Sequence, residues 1–539
     1  MQVKIVLLAG AALVASPLAA QDRGAMGPSD PAPAGPLVYA PELPGGTPAD
    51  IAAAASAGTP VAELPQALRL AYWTNPTLLA QRAAVRSVDY RVPQARAAFG
   101  PRLDFQVDYG ITRSGTRTPG NGWSDGTYKS ATATAILTQP LFTFGRNAAG
   151  ERFAMAQLGY QRQVLRSTEQ QAMLDAIAAY VGLLRDRASV GIARDNLDTL
   201  ERELSDNRAR LRRREVTSTD VEQVETRVEL GRAQVYTAQR DAAASEATFL
   251  RMVGAPAGVL AAPNPLRLPV ETLEQAYAYA EGHNPVLIAA TEREKVSRAS
   301  LESAKADLMP RIDLKGQADY SNAWNPPSFF NSTGRQDQRS VSGQVVLSGP
   351  IYESGLRQAR VGEAIAANDA DWQLIDASLR ENRATLASAW DDWTAQTAAI
   401  ERFAGAVDSA RRAYDGALLQ ERAGLRTTLD VLDLARELLL ARGNYNSAIA
   451  SSYVAKARVL AAMGALEQSW LLPDDSRYDP TAHFDKVRHR GDVPLLTPLL
   501  RGVDALPLGS GSTRALRDPA APRTAAPVAL DPVKELPVP

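Results

Sequence analysis

The sequence predicts a mixed fold in which amphipathic strands of the membrane β-barrel kind join long coiled-coil helices, the whole pattern written twice in tandem. Three observations carry this. The chain is duplicated: Leu64-Pro-Gln-Ala…Asn75-Pro76 recurs as Leu273-Glu-Gln-Ala…Asn284-Pro285, and Pro101-Arg-Leu-Asp104 recurs as Pro310-Arg-Ile-Asp313. Asp313 follows Asp104 by 209 residues and Gly464 follows Gly254 by 210, so the long elements of the two halves have equal length. Second, the chain has no proline from Phe142 to Ala255 or from Ile351 to Leu472, and each stretch keeps a helical period broken once. Third, each half carries a pair of segments of about ten residues that alternate apolar with polar, as a strand wet on one side does.

In order, Met1 to Ala20 reads as a secretory signal: Lys4, an apolar run from Ile5 to Val14, then Ser16-Pro-Leu-Ala-Ala before Gln21. Residues 21–62, rich in Pro, Ala and Gly, read as a disordered lead-in. Repeat 1 spans 63–262, with a β-hairpin at 102–141, a long helix at 145–213 and a shorter one at 217–253. Repeat 2 spans 263–471, with the hairpin at 311–352 and helices at 355–422 and 427–463. In each repeat a short helix (Leu64 to Thr74, Leu273 to His283) ends at Asn-Pro, and a moderate helix then runs to about Phe99 or Leu308. Residues 472–539 read as a belt against the helices followed by a disordered tail.

The hairpin strands are set by Leu103, Phe105, Val107 and Tyr109 against Asp104, Gln106 and Asp108, and by Ile312, Leu314, Gly316, Ala318 and Tyr320 against Asp313, Lys315, Gln317 and Asp319. The stretches Thr112 to Tyr128 and Ser321 to Arg339, with their Gly, Ser, Asn and Pro, read as long exposed loops. Four strands cannot close a barrel with a lumen, and open edges cannot face lipid. Three chains would supply twelve.

The most informative stretch is Gly424-Leu-Arg-Thr-Thr-Leu-Asp-Val-Leu-Asp433. Gly424 suits the left-handed end of one helix. Thr427 and Asp430 have the form of a capping box opening the next, with Asp in place of Glu. That helix carries two apolar rows: Val431, Leu434, Leu438 and on to Val459, and Leu432, Leu439, Tyr453 and Leu460, broken by Asn446. Two rows mean a neighbour on each side, as in a tube. Asp430 and Asp433 share the remaining face at a spacing of three. Capping explains Asp430, and equally Asp220; it does not explain Asp433, whose first-half equivalent is Gln223.

The duplicated halves, the two hairpins, the Pro140-Leu-Phe…Phe144-Gly and Pro350-Ile-Tyr…Ser354-Gly turns and the stretch at Ala423–Asp433 together resemble the TolC family of trimeric outer-membrane channels of Gram-negative bacteria. The resemblance covers about Leu64 to Leu472. It implies a homotrimer with a twelve-stranded barrel in outer-membrane lipid and a twelve-helix tunnel through the periplasm. The tunnel end would open as an iris when a periplasmic adaptor and an inner-membrane transporter, of the ABC or RND type, dock on it. It implies an acidic constriction at Asp430 and Asp433, with block by cations, and a gate involving Asp220, Arg426 and Thr427. Two positions depart from the family pattern: Arg214 stands where a glycine precedes the first tip, and Glu421 where an aromatic lock residue is expected. The implied cargo is protein, as in type I secretion, or small molecules and drugs.

Other classes find less support. A formal net charge of −1 gives no electrostatic case for nucleic acid, and the absence of cysteine removes disulfides and thiolate metal sites. His283, His483 and His489 form no metal-ligand spacing, the glycines between Gly115 and Gly126 lack the context of a phosphate loop, and no nucleophile–base–acid set exists. No enzyme activity and no cofactor are expected. Tyr180 and Trp390, at equivalent places, read as tube packing, and Trp324, Phe329 and Phe330 fall in an outer loop. The alternative of another kind, an exported coiled-coil scaffold or adaptor without a pore, would lack paired strands with one wet and one dry face.

Overall fold

The computed structural model describes residues 60–118, 122–324, 335–473, 475–494 and 496–504. The expected signal at 1–20, nearly all of the lead-in, Phe329, Phe330 and the tail past Asp504 lie outside them. The first half holds α1 (Leu64–Thr74), α2 (Pro76–Asp89), α3 (Arg91–Ala97), β1 (Arg102–Thr118), β2 (Gly122–Phe142), α4 (Arg146–Arg212) and α5 (Ser218–Val253). The second holds α6 (Leu273–His283), α7 (Pro285–Ala306), β3 (Arg311–Trp324), β4 (Arg335–Ser348), α8 (Leu356–Arg422) and α9 (Thr428–Met463). Three short helices follow: α10 (Gln468–Leu471), α11 (Ala482–Val487) and α12 (Leu496–Asp504).

The strands form one antiparallel sheet in the order β1-β2-β3-β4. The described parts of the stretches read from sequence as loops are strand instead. Pairing continues from Thr112↔Tyr128 to Thr118↔Gly122, and from Ser321↔Gln338 to Trp324↔Arg335. Glycine and serine there mimic loop composition, but a ladder satisfies the backbone whatever the side chains, and Thr, Tyr and Trp suit it. A second departure is the single helix expected between Asn75 and Phe99, which breaks at Tyr90 into α2 and α3. Pro93 lacks an N–H and its ring opposes the carbonyl of Asp89. No proline lies between Pro285 and Pro310, and α7 is continuous.

Each passage from sheet to helix uses two successive left-handed residues, Phe144 (φ 52°) with Gly145 (φ 83°) and Ser354 (φ 50°) with Gly355 (φ 82°). From these turns run α4 and α8, 67 residues each, about 100 Å at 1.5 Å per residue. Near the sheet α4 lies against α2 and α7; farther down, the neighbours run α5, α4, α9, α8, side by side. The two apolar rows of α9 serve these two sides. Val431 and Leu438 are buried in one, and in the other Leu432 joins Leu200, Leu204, Val221, Val224 and Val228. Asn446, the break in the second row, donates to the Arg185 carbonyl at 2.8 Å and to Ser189 Oγ at 3.0 Å on α4, fixing the register of the pair. Tyr180 is fully buried and its hydroxyl donates to the carbonyls of Ala62 and Ala261. Trp390 packs edge-on against Trp393.

The segment after α9 is strapped back along the first half. Asp475 pairs with Arg69 at 2.8 Å, His483 with Asp89 at 2.7 Å, and Arg501 joins Arg96 on Glu151. Tyr478, with Tyr72 and Trp73, cages the buried Arg82 guanidinium. The described part of the strap reaches Asp504, 3% exposed, whose carboxylate accepts hydrogen bonds from the amides of Thr143 (2.7 Å), Gly145 (3.2 Å) and Ala148 (3.3 Å) and from the Thr143 hydroxyl. It therefore caps α4, which has no cap from its own Gly145. Asp504→Ala should cost about 2–3 kcal/mol of local stability. Hydrogen exchange at Gly145 and Ala148 checks this: faster exchange there is expected, and unchanged protection would refute the cap.

Candidate functional site

The far ends of the four long helices meet in two matching turns. In the second, Gly424 (φ 74°) ends α8, and the Leu425 amide reaches back to the Gln420 carbonyl at 2.8 Å. In the first, Arg214 takes the same left-handed conformation (φ 62°), and Glu215 N bonds Arg210 O at 3.0 Å. The departure at Arg214 thus leaves the backbone unchanged, at a conformational cost of about 1–2 kcal/mol for a side chain there. Each next helix opens with a complete capping box. Thr217 Oγ1 accepts from Asp220 N (3.2 Å) while Asp220 accepts from Thr217 N (2.9 Å); Thr427 and Asp430 do the same at 3.3 and 3.2 Å.

These bonds fix the carboxylates electrostatically. Hydrogen bonds from Thr427, with Arg426 adding a smaller attraction, hold Asp430 below the usual carboxylate range; Asp430 is fully exposed. Asp220 is lowered in the same way by Thr217 and, less, by Arg210. Asp433 lies one turn along and is also exposed, its carboxylate 3.1 Å from Arg227 of α5. Arg426 is exposed and has no ion pair among the described residues.

Glu421 stands apart. Its side chain is only 5% exposed, and it forms an ion pair with Arg210 near the end of α4. The Thr428 hydroxyl lies 3.3 Å from both the Glu421 carboxylate and the Asn207 side-chain oxygen, and Asn207 donates to the Glu203 carbonyl at 3.0 Å. Burial, then the Glu421 charge, raises the Glu203 carboxyl; burial, then Glu203, pushes the Tyr414 phenol up to about 12. The position where an aromatic was expected therefore belongs to a buried polar layer joining α4, α8 and the start of α9, beside the apolar layer of Leu200, Leu204 and Leu432. Such a layer specifies how helices pair more than it adds stability, and removing one partner is costly.

Sequence reasoning missed Arg210, Asn207, Thr428 and Arg227. A signal existed: Glu203, Asn207 and Arg210 lie at i, i+4 and i+7, and Tyr414 and Glu421 are seven apart, so polar groups sit in seams that are otherwise apolar. Among the described residues no group of three or more His, Asp or Glu is placed to hold a metal ion, and no helix is long and apolar enough to cross a membrane. What these turns present is exposed carboxylates held by capping boxes beside a buried polar layer.

Comparison with known proteins agrees with this architecture. A profile of the outer membrane efflux protein family matches residues 67–255 and 276–465, one match in each half. The outer membrane efflux protein BepC of Brucella suis is 27% identical over 424 residues, 79% of this chain and 90% of the relative. The alkaline protease secretion protein AprF of Pseudomonas aeruginosa is 28% identical over 388 residues, 69% and 78% of the two chains. The fold matches a membrane protein from Pseudomonas aeruginosa with a TM-score of 0.65 at 18% identity, covering 78% of this chain and 94% of the other. With both repeats matched, the chain belongs to the outer membrane efflux protein family, the family of TolC.

Proposed function

We propose that three copies of this chain assemble into an exit duct that carries cargo across the periplasm and outer membrane of a Gram-negative bacterium. The observation behind this reading is that one chain passes from a sheet with an apolar and a polar face into paired helices, while both sheet edges, β1 and β4, are unpaired among the described residues. In lipid such edges have no water to bond, so the sheet must close on copies of itself. Three copies give a barrel of twelve strands and, from α4, α5, α8 and α9, a tunnel of twelve helices. Repeats 63–262 and 263–471 are its two structural units, residues 1–20 its export signal and 472–539 its belt and tail.

The helix turns form the periplasmic gate. Asp430 and Asp433 from three chains make a ring of six carboxylates, with Asp220, Arg426, Thr427 and Glu421 governing how far the tips part. The Arg210–Glu421 pair and the Arg227–Asp433 pair hold the closed arrangement. A periplasmic adaptor and an inner-membrane ABC or RND transporter supply the opening force and the energy. The named relatives suggest both cargo classes, since one is a protease secretion protein and another an efflux protein. The duct is passive and uses no cofactor.

Single-channel conductance of the purified protein in a planar bilayer tests the reading: a small, steady, cation-preferring conductance is expected, and correctly assembled trimers that never conduct would refute it. Asp430→Ala with Asp433→Ala should abolish block by a trivalent cation without loss of trimers; unchanged block would remove these residues from the constriction. Because hydrogen bonds depress the Asp430 pKa in the folded state, its charge survives above that lowered value and is lost as pH falls through it. Block should therefore weaken only below about pH 4, and Thr427→Ala should move the loss to higher pH. Glu421→Gln should raise open probability roughly tenfold, equivalent to about 1.4 kcal/mol; an unaltered closed state would place the lock elsewhere.

A further inference from the structure

The apolar face of the sheet changes character abruptly toward the end away from the helices. On β1 the face runs Leu103, Phe105, Val107, Tyr109 and Ile111, each at least 60% exposed, and then Arg113 and Arg117. The paired residues on β2 run Leu137, Ala135, Ala133 and Ala131, then Lys129, Thr127, Asp125 and Trp123. On β3 they run Gly316, Ala318 and Tyr320, then Asn322 and Trp324; on β4, Val345, Gly343 and Val341, then Arg339, Asp337 and Arg335.

The position of this change is regular. In the register of the ladder, Arg113 is the first polar residue on β1. Lys129 lies opposite Ile111; Asn322 opposite Ala131, hence level with Tyr109; and Arg339 opposite Tyr320, hence level with Val107. The boundary steps by two residues per strand. Two residues are about 6.7 Å and strands are about 4.8 Å apart, so the line crosses the strands as a plane does when they tilt by roughly 50°. Membrane strands tilt by about 45°. Chance substitutions would not draw a straight oblique line across four strands.

The charge beyond the line is confined to this face. Arg113, Arg117, Lys129, Arg335 and Arg339 are opposed by Asp125 and Asp337 alone, an excess of three cations, while the other face at these levels presents Thr112, Ser114, Ser130, Ser321, Gln338 and Ser340. Arg113 lies 3.5 Å from Asp125 and Arg335 3.6 Å from Asp337. Arg117, Lys129 and Arg339 have no ion pair among the described residues; Lys129 lies over the Trp324 ring and Arg339 over that of Tyr320. The connecting segments 119–121 and 325–334 contain no acidic residue that could neutralise them.

Resting on the reading of this sheet as part of a membrane barrel, we propose that the outward-facing rim of Arg113, Arg117, Lys129, Arg335 and Arg339 binds the phosphate-bearing headgroups of outer-leaflet lipid. Charge complementarity selects that occupant. The rim is continuous with the lipid-facing band, its arginines present planar forks suited to phosphate, and their stems can lie along the apolar surface while the heads reach the headgroups. A rim evolved to select ions would face the lumen, where these levels carry no charge.

The test reconstitutes the full-length protein in phosphatidylcholine nanodiscs doped with lipid A, a phosphorylated glycolipid, and counts lipid A retained per protein by native mass spectrometry. Wild type should retain it over phosphatidylcholine by roughly tenfold or more, and Arg117→Gln/Lys129→Gln/Arg339→Gln should lose that preference. Arg117→Lys/Arg339→Lys, which keeps the charge, should preserve most of it and controls for folding. Equal retention by the Gln variant, or by wild type of dephosphorylated lipid A, would overturn the proposal. Conductance in pure phosphatidylcholine, measured alongside, separates the two readings. A wild type that conducts but shows no phosphate preference refutes only this inference; one that never inserts refutes the duct itself.

Discussion

The direction in which each long helix leaves the sheet is the constraint on which everything distal depends. It is set within two residues, Phe144–Gly145 and Ser354–Gly355, by backbone in the left-handed region. A helix of about 100 Å is a lever: one degree of error at its origin moves the far turn by roughly 1.7 Å, more than half a hydrogen bond. The carboxylates and ion pairs at the helix turns are spaced to within such distances. A fixed turn, a cap on the helix that follows and a strap along its flank are therefore parts of one requirement, that the origin not swing. The shorter helices α5 and α9, packed on both sides of α4, spread that stiffness along its length.

Much of this was legible because it is local or repeated. Thr427 with Asp430, and Thr217 with Asp220, announce capping boxes in four residues of sequence, and the alternation from Leu103 to Tyr109 announces a strand. Family membership followed from the order of such signals, not from any single one. What could not be read is long-range. Nothing beside Asp504 says that its partner is Thr143, and nothing near Glu421 names Arg210, because these pairs are made by the packing of distant elements. The misjudged loops have a different cause. From Thr112 to Thr118 the composition resembles a turn, while the partner strand that decides the matter lies across the hairpin. The break at Tyr90 is legible in Pro93, which has no counterpart in the unbroken helix of the second half.

Duplication gives the two halves a common backbone and leaves their chemistry free to diverge. Arg214 and Gly424 occupy the same left-handed position, Gln223 and Asp433 the same place on the helix face, yet only the second half supplies a pair of exposed carboxylates there. The junctions with the sheet differ too. Asp504 caps α4 with a buried carboxylate, whereas α8 has only Glu353, exposed and bonded to Arg357 within its own first turn. The two repeats are thus alike in path and unlike in how each end is held.

Asp504 stands 361 residues after the threonine it binds, and this separation has a consequence in time rather than in space. A chain made from its N-terminus delivers α4 long before it delivers the carboxylate that fastens it. Until then the first junction lacks its cap, while the second has only a pair between neighbours four residues apart, made as soon as its own helix starts. Completion of the first half therefore waits on Asp504, so a chain unfinished or clipped before it is left with one of its two levers unfastened.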